Sequence, residues 1–576
     1  MAKFKKIATP WHKWYGKRKK TIKYPKTSMY DEIRRAAETW PDLTALSYFG
    51  NQIDYDTLVT EIDKAARGFI SLGAKKGDTI SLCSANIPEA IIALYAINKI
   101  GCVANVFHPL SAPAEIRDYL NLGGGSLFVT IDVAWPNVKQ ILHETKVERV
   151  IVISPADSLP ILSKFGYKLL NIKEVRKELT QILIKNELTM NWDEFLGHGR
   201  YVVGEAYEKT GPQDIAVILY SGGTTGQSKG VALSNLSFNA TAYQAKDFFS
   251  TVLTTDAVML GILPIFHGFG LGCGFHAMLC WGASTAMVPK FDVSKFDKLI
   301  ADIKPTFLVG VPTLFEALLK NKKLRRMDLS FVEVAVSGGD SLPAPLKHEV
   351  DAFLKKSGSQ AKLIQGYGLA ECLSMAIVNP VDNQRDGSIG IPLSDVLVKI
   401  VEPSTYISKK YGEIGEIVLT GPTTMIGYID NAKETNEVLQ MHPDGRIWLH
   451  TGDLGYMASD GFIYFTQRLK RMIVTSGYNV YPSEVEAAIT AVPEVLSATV
   501  VGVDHKYRGQ DTVAFVVLRE GAKPSKDLEA TIMASCRTNL AKYKWPRRIE
   551  FRQTLPKTKI GKVAYRELAK QATKKK

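Results

Sequence analysis

Residues 220–230 read Tyr220-Ser221-Gly222-Gly223-Thr224-Thr225-Gly226-Gln227-Ser228-Lys229-Gly230, directly after the apolar run Ile215 to Leu219. The run has the length and composition of a buried strand. Four glycines in the following turn allow backbone N–H groups to face an anion, Ser221, Thr224 and Thr225 add hydroxyl donors, and Lys229 adds a positive charge. These are the parts of a polyphosphate cradle. Gln227 and Ser228 stand between Gly226 and Lys229. The Gly-x-x-x-x-Gly-Lys-Ser/Thr loop needs its lysine immediately after the glycine, so a Walker-type NTPase is disfavoured. A plain Gly/Ser/Thr surface turn is the alternative.

Further stretches carry chemistry. In Gln365-Gly366-Tyr367-Gly368-Leu369-Ala370-Glu371, glycines on both sides of Tyr367 permit close backbone approach to a flat ligand on which the ring can stack. Glu371 is a hard oxygen ligand of the kind Mg²⁺ takes alongside phosphates. Trp448-Leu449-His450-Thr451-Gly452-Asp453 ends in a carboxylate able to accept two hydroxyls, and Gln467-Arg468-Leu469-Lys470 follows it. Near the end, Leu555-Pro556-Lys557-Thr558-Lys559-Ile560-Gly561-Lys562 gives a lysine a defined approach between Pro556 and Gly561.

Taken together, and in this order, these stretches resemble the adenylate-forming superfamily of acyl-CoA synthetases, peptide-synthetase adenylation domains and firefly luciferase. The double-glycine loop looks most like bacterial long-chain fatty-acid CoA ligases. The resemblance implies ATP, Mg²⁺ and coenzyme A, with a carboxylic acid activated to acyl-AMP and then passed to the thiol. It gives the loop residues Ser221, Gly222, Gly223, Thr224, Thr225, Gly226 and Lys229 to the phosphates, and Gly366, Tyr367 and Gly368 to the adenine. Gly339, in the turn Ser337-Gly338-Gly339-Asp340, becomes a wall of the same site. Glu371 falls to the metal, Asp453 and Arg468 to the ribose, and Lys562 and Thr225 to catalysis of adenylation. Lys470 falls at the hinge of a rotating C-terminal domain. Gly477, in Ser476-Gly477-Tyr478-Asn479-Val480-Tyr481-Pro482, would line the pantetheine channel, and His267, in Leu263-Pro264-Ile265-Phe266-His267-Gly268, would border the acid. The chain departs from the commoner family pattern at Gly222, Ser228, Ala370 and Gln467. An aryl or short-chain acid CoA ligase, or a non-catalytic adenylate- or acyl-binding protein, are the rival readings.

The elements that must hold these parts follow an α/β pattern. Helices are expected over Asp31 to Thr39 and Tyr55 to Leu72, strands over Ala45 to Tyr48 and Thr79 to Cys83, and a helix opening at Pro88. Alternation of this kind argues for helices packed on largely parallel sheets, with ligands beyond the strands' carboxyl ends. Residues 257–289 contain no Asp, Glu, Lys or Arg. Their glycines divide them into a strand ending at Leu263, a glycine-rich helix around His276 and a strand near Thr285 to Val288, and argue against a membrane span. Gly268, Gly270, Gly272 and Gly274 are expected to leave room for an alkyl tail. Strands at Leu397 to Val401, Gly415 to Thr420 and Gly461 to Phe465 mark a β-rich subdomain. The expected organisation is a basic arm over 1–28, an adenylation domain over 29–469 with the β-rich part at 390–469, and a small α+β lid over 470–576.

The chain has 576 residues, is 45% hydrophobic and carries a formal net charge of +14. That length accommodates two or more domains with sizeable cores, and the charge suits polyanionic partners. No nucleic-acid module accompanies it. In the first 26 residues, lysines and Arg18 alternate with Phe4, Trp11, Trp14, Tyr15 and Tyr24, a mixture suited to peripheral contact with an anionic membrane or to a solvated arm. Six scattered cysteines without Cys-x-x-Cys spacing, and no secretory h-region, fit a reduced cytoplasm. A homodimer is compatible with this picture.

Overall fold

A computed structural model describes residues 7–160, 188–221, 228–475, 478–505, 507–557 and 563–574. Two large sheets form the body. The first runs, edge to edge, Gly427–Tyr428, Lys229–Ser234, Ile215–Ser221, Val103–Phe107, Thr79–Cys83, Leu127–Ile131, Arg149–Ile153 and Thr189–Asn191. Its strands are parallel from Ile215–Ser221 to Thr189–Asn191 and antiparallel at the other edge. The second, nine-stranded sheet centres on the parallel strands Ser284–Met287, Val258–Gly261, Phe307–Gly310, Val334–Ser337 and Leu363–Tyr367.

The interior strands are apolar on both faces because helices cover both. Pro88–Lys99, buried along its whole length, is such a covering helix, and proline at its first turn costs no hydrogen bond. Met29–Thr39 starts from a capping box in which Ser28 and Asp31 satisfy each other's backbone N–H groups. The charge-free stretch resolves into the strand Val258–Gly261, a π-helical segment Phe269–His276 and the strand Ser284–Met287, close to the expected division. Among the described residues no helix is long and apolar enough to cross a membrane.

A third, antiparallel sheet is built from Leu397–Val401, Gly415–Thr420, Ile447–Met457, Leu439–Met441 and Ile463–Arg468. One continuous hydrophobic core joins it to the two large sheets. The last sheet has cores of its own, one from Ile473 to Cys536 and one around Val501, Phe515 and Leu568. Its strands Val495–His505 and Gly509–Leu518 form a long hairpin, with Arg548–Arg552 parallel to the second of them.

The arm departs from the sequence expectation. From residue 7 it is packed on the body, with Trp11 and Tyr15 buried. The Trp14 indole N–H donates to the carbonyl of Asp460 and the Tyr15 hydroxyl to that of Pro392, both at 2.9 Å. The Ile22 N–H and the Tyr24 hydroxyl donate to Asp395, and the Arg18 guanidinium lies over the Phe248 ring. These aromatics are therefore occupied inside the protein. Lys13, Lys17, Lys19, Lys20, Lys23 and Lys26 remain exposed.

Candidate active site

Ser221 and Lys229 pair across the antiparallel strands Ile215–Ser221 and Lys229–Ser234, so the two residues that flank the glycine-threonine motif in sequence are neighbours in the sheet. Gly222, Gly223, Thr224, Thr225 and Gly226 lie outside the described residues, as do Gly477 and Lys562. The end of this strand pair is fixed by Tyr220, whose hydroxyl donates to Asn105 Oδ1 at 2.7 Å and whose ring packs on Tyr119. Tyr119 also reaches the Ser228 hydroxyl. Lys229 differs from expectation: its ammonium is paired with Glu434 and sits over the Tyr428 ring, 4.7 Å from the centroid. Its charge is already met within the protein, through a carboxylate on the helix Ala432–Val438.

Strand Leu363–Tyr367 delivers the next motif and breaks into a single tight turn, Ala370–Cys372. Leu373 and Ser374 then take positive φ, 49° and 73°, which reverses the chain beneath Gly368. A Cβ at Gly368 would stand 2.1 Å from the Ser374 carbonyl oxygen, so this glycine serves the turn's own packing. At Gly366 the nearest atom would be 3.9 Å away, an ordinary contact that leaves its face open. Gly339, at φ +78°, makes the corresponding turn after Val334–Ser337, in the left-handed region that glycine enters without strain.

Tyr367 does more than offer a ring. Its hydroxyl donates to Asp453 Oδ2 at 2.8 Å, and burial, followed by the Asp453 charge, pushes its pKa well above the ordinary range. Asp453 and Arg468 are cross-strand partners, and the Arg468 Nε lies 3.1 Å from Asp453 Oδ1. The Asp453 charge holds the Arg468 pKa above its usual value. Three strands of two sheets thus converge on one buried carboxylate. Glu371 is oriented in turn by Tyr428, whose hydroxyl donates to Oε1 at 2.8 Å, and the Tyr428 phenol is pushed up by burial and by the Glu371 and Glu434 charges.

Among the described residues no group of three or more His, Cys, Asp or Glu side chains could hold a metal ion. A single oriented carboxylate fits Mg²⁺, which keeps its waters and takes one or two carboxylates with substrate phosphates. It would not fit a zinc centre.

His267 Nδ1 accepts from the Phe269 N–H at 3.2 Å, which places the proton of the neutral ring on Nε2. Its segment is fixed by Asn86, whose amide donates to the carbonyls of Gly261 and Leu263 and whose Oδ1 accepts from the Ile265 N–H. The nearby His276 is a core residue. It is fully buried between the Tyr95 hydroxyl and Asn239 Oδ1, and burial pushes its pKa down to about 3. The expectation that all four glycines leave room is corrected. A Cβ at Gly270 would meet the Pro264 carbonyl oxygen at 2.1 Å, one at Gly268 the Ser374 hydroxyl at 2.8 Å, and one at Gly272 the Leu373 side chain at 3.2 Å. Only at buried Gly274 does no described atom come within 4 Å.

On the C-terminal side, Lys557 and Val563 form an antiparallel bridge, and the Ala564 N–H donates to the Pro556 carbonyl. Tyr565 follows, stacked under the Arg471 guanidinium at 3.6 Å. Arg471 donates to Glu486, and burial pushes the Tyr565 phenol above its ordinary pKa, against the pull of the Arg471 charge. Lys470 lies in the turn Leu469–Arg471 that joins the third sheet to the last. Sequence reasoning missed Asn86, Tyr428 and Glu434, since nothing local to Ala85-Asn86-Ile87 or Gly427-Tyr428 marks a long-range partner.

Carboxylates oriented at Glu371 and Asp453, with the phosphate-loop motif in the same chain and a small C-terminal unit with cores of its own, fit an adenylate-forming enzyme. The AMP-binding enzyme family matches residues 33–429 and the AMP-binding enzyme C-terminal domain matches 484–562; the chain belongs to this family. It is similar to the long-chain-fatty-acid CoA ligase of Bacillus subtilis, 32% identical over 553 residues and covering 95% of each chain. It is also similar to that of Salmonella typhimurium, 30% identical over 557 residues, covering 95% of this chain and 94% of the other. ATP-bound MatB from Rhodopseudomonas palustris shares the fold with a TM-score of 0.79 at 25% identity, covering 94% of this chain and 98% of that one.

Proposed function

We propose that the chain is an ATP-dependent fatty-acid CoA ligase, acting on medium to long acyl chains. The observation that carries the reading is the buried Asp453, held by Tyr367 and Arg468 beside a Glu371 that Tyr428 orients. A carboxylate with fixed donors behind it can accept both ribose hydroxyls without rearranging. The relatives named for long-chain fatty acids over nearly the whole chain, and the open space beside Gly274, support an alkyl tail as the acid's remainder.

In this mechanism the acid's carboxylate attacks the α-phosphorus of ATP in line, the bond to the β-phosphate oxygen breaks and pyrophosphate leaves. Glu371, oriented by Tyr428, would hold magnesium, which when bound supplies positive charge against the leaving pyrophosphate. The backbone amides of residues 222–226 and the hydroxyls of Thr224 and Thr225 bind the phosphates, and Lys562 meets the charge that develops at the α-phosphate. His267, with its proton on Nε2, borders the acid. The C-terminal unit then turns about Lys470, withdrawing Lys562 and bringing Gly477 to the thiol's path. The coenzyme A sulfur attacks the acyl carbon and AMP leaves.

A panel of acids in a coenzyme A-dependent pyrophosphate-release assay tests the reading. Preference for decanoate and palmitate is expected; preference for acetate or coumarate would replace it with an aryl or short-chain ligase. Failure to form acyl-AMP from any acid would leave a binding protein. The six exposed lysines of the arm are further proposed to meet anionic lipid, each contributing about 1 kcal/mol before salt screening. Because buried Trp11 and Tyr15 and half-buried Trp14 and Tyr24 anchor the arm, replacing the lysines by glutamine tests this without unseating it. Vesicle binding at low salt should be lost, and binding that persists would remove the proposal.

A further inference from the structure

The Thr451-Gly452-Asp453 segment is held from behind by groups that have no part in the site described so far. Strands Gly415–Thr420 and Ile447–Met457 pair Glu416 with Leu454 and Val418 with His450. Ile417 alone therefore faces residues 451–453, which bulge out of the ladder. Such a bulge re-aims side chains but strands backbone donors.

Glu416 fills this gap. Its Oε1 accepts from the Gly452 N–H at 3.0 Å, and its Oε2 accepts from His450 Nδ1 at 2.8 Å. Gly452 adopts φ +67°, the left-handed geometry that turns its N–H back toward the carboxylate. The Thr451 hydroxyl donates to the Ile417 carbonyl and accepts from the Asp453 N–H, closing the bulge from its other side. His450 Nε2 lies 2.9 Å from His442 Nε2, a separation that requires one proton between the two nitrogens. Burial, and then the Lys399 charge, lower the His442 pKa to about 4, so that ring is neutral. Its buried Nδ1 meets no hydrogen-bond partner among the described residues. An orphaned acceptor is tolerated better than an orphaned N–H, which assigns the single His442 proton to Nε2. His442 thus donates to His450 and His450 donates to Glu416, so the donors run in one direction toward the carboxylate. Glu416, His442 and His450 are all buried, so water does not substitute for any member.

We propose that Glu416, oriented by His450 and His442, is a positioning residue that sets where Asp453 presents its carboxylate to the ribose of the nucleotide. Glutamine at this position keeps the shape but turns an amide N–H₂ against one of two donors, so the bulge must relax. The inference rests on Asp453 binding the ribose.

The test compares ATP with 3′-deoxyATP in the pyrophosphate-release assay, using kcat/KM ratios. The wild-type enzyme should favour ATP strongly, because a site built to bond a hydroxyl rejects the analogue that lacks it. Glu416→Gln should lower that ratio about tenfold through displacement of the accepting carboxylate, with the KM for the acid and for coenzyme A unchanged. His450→Leu should do the same, whereas His450→Asn, which keeps a donor toward Glu416, should restore most of the discrimination. A ratio unchanged in Glu416→Gln and in His450→Leu overturns the proposal. Equal loss in the leucine and asparagine variants also overturns it, by reducing the array to packing. Should Glu416→Gln fail to fold, the two His450 variants decide alone. Absence of any discrimination in the wild type refutes instead the assignment of Asp453 to the ribose.

Discussion

Replacing Gly274 by leucine should impose a break in the acyl-chain profile. Gly274 is buried in the π-helical segment Phe269–His276, and its carbonyl accepts from Thr285, yet an added Cβ has no described neighbour within 4 Å. A leucine there takes the space of roughly three to four methylenes, each worth about 0.8 kcal/mol when buried. Acids long enough to reach the position should lose about 2.5 to 3 kcal/mol of binding expressed in kcat/KM, close to a hundredfold. Shorter acids should be nearly unaffected. Pyrophosphate release across even-numbered acids from octanoate to stearate reads this directly. Gly270→Ala is the internal control: its Cβ would collide with the Pro264 carbonyl at 2.1 Å, and the variant should lose thermal stability at every chain length. A uniform fall across all acids in Gly274→Leu, or an unchanged profile, would refute the reasoning that this void receives the tail.

Lys562→Ala should slow adenylation by about 10² to 10³, the cost of losing one preorganised electrostatic partner, while synthetic acyl-AMP is still converted to thioester. Parallel pyrophosphate and thioester assays separate the two steps. Tyr428→Phe removes the hydroxyl that orients Glu371 and should raise the free Mg²⁺ needed for half-maximal rate several-fold; a superimposable Mg²⁺ titration would speak against that role. Burial pushes the His276 pKa down to about 3 in the folded chain, well below the ordinary 6.5 of a histidine. The unfolded chain therefore binds a proton that the folded one refuses, and stability present above pH 6.5 declines as pH falls from there toward 3. Melting temperatures from pH 7.5 to 4.5 should show a shallower decline in His276→Gln than in the wild type.

Much of the fold was legible because its signals are local. Thr79–Cys83, Leu397–Val401 and Gly415–Thr420 have the boundaries expected from their apolar runs. The strand Asn51–Asp54 was missed, its turn being Phe49-Gly50 at positive φ in place of the Asn-Gly that usually marks a hairpin. At the site, a glycine that leaves space and one whose space a distant neighbour occupies read alike. Leu373 fills the face of Gly272, and only Gly274 stays open. Lys229 likewise reads as a free charge until Glu434 is brought to it. Each miss is a partner supplied by tertiary structure, beyond the reach of spacing or composition.

The packed N-terminal arm has a consequence for the order of synthesis. The Trp14 side chain bonds to a carbonyl 446 residues further on, and a Cβ at Gly461 would lie 2.4 Å from the Trp11 backbone nitrogen. This turn emerges from the ribosome long before its seat exists, so these indoles wait uncovered while the intervening chain is made. Domains that close on their own opening residues cannot finish folding as they are translated. Nascent chains stopped short of Gly461 should be markedly more protease-sensitive near Trp11 than chains carried past it.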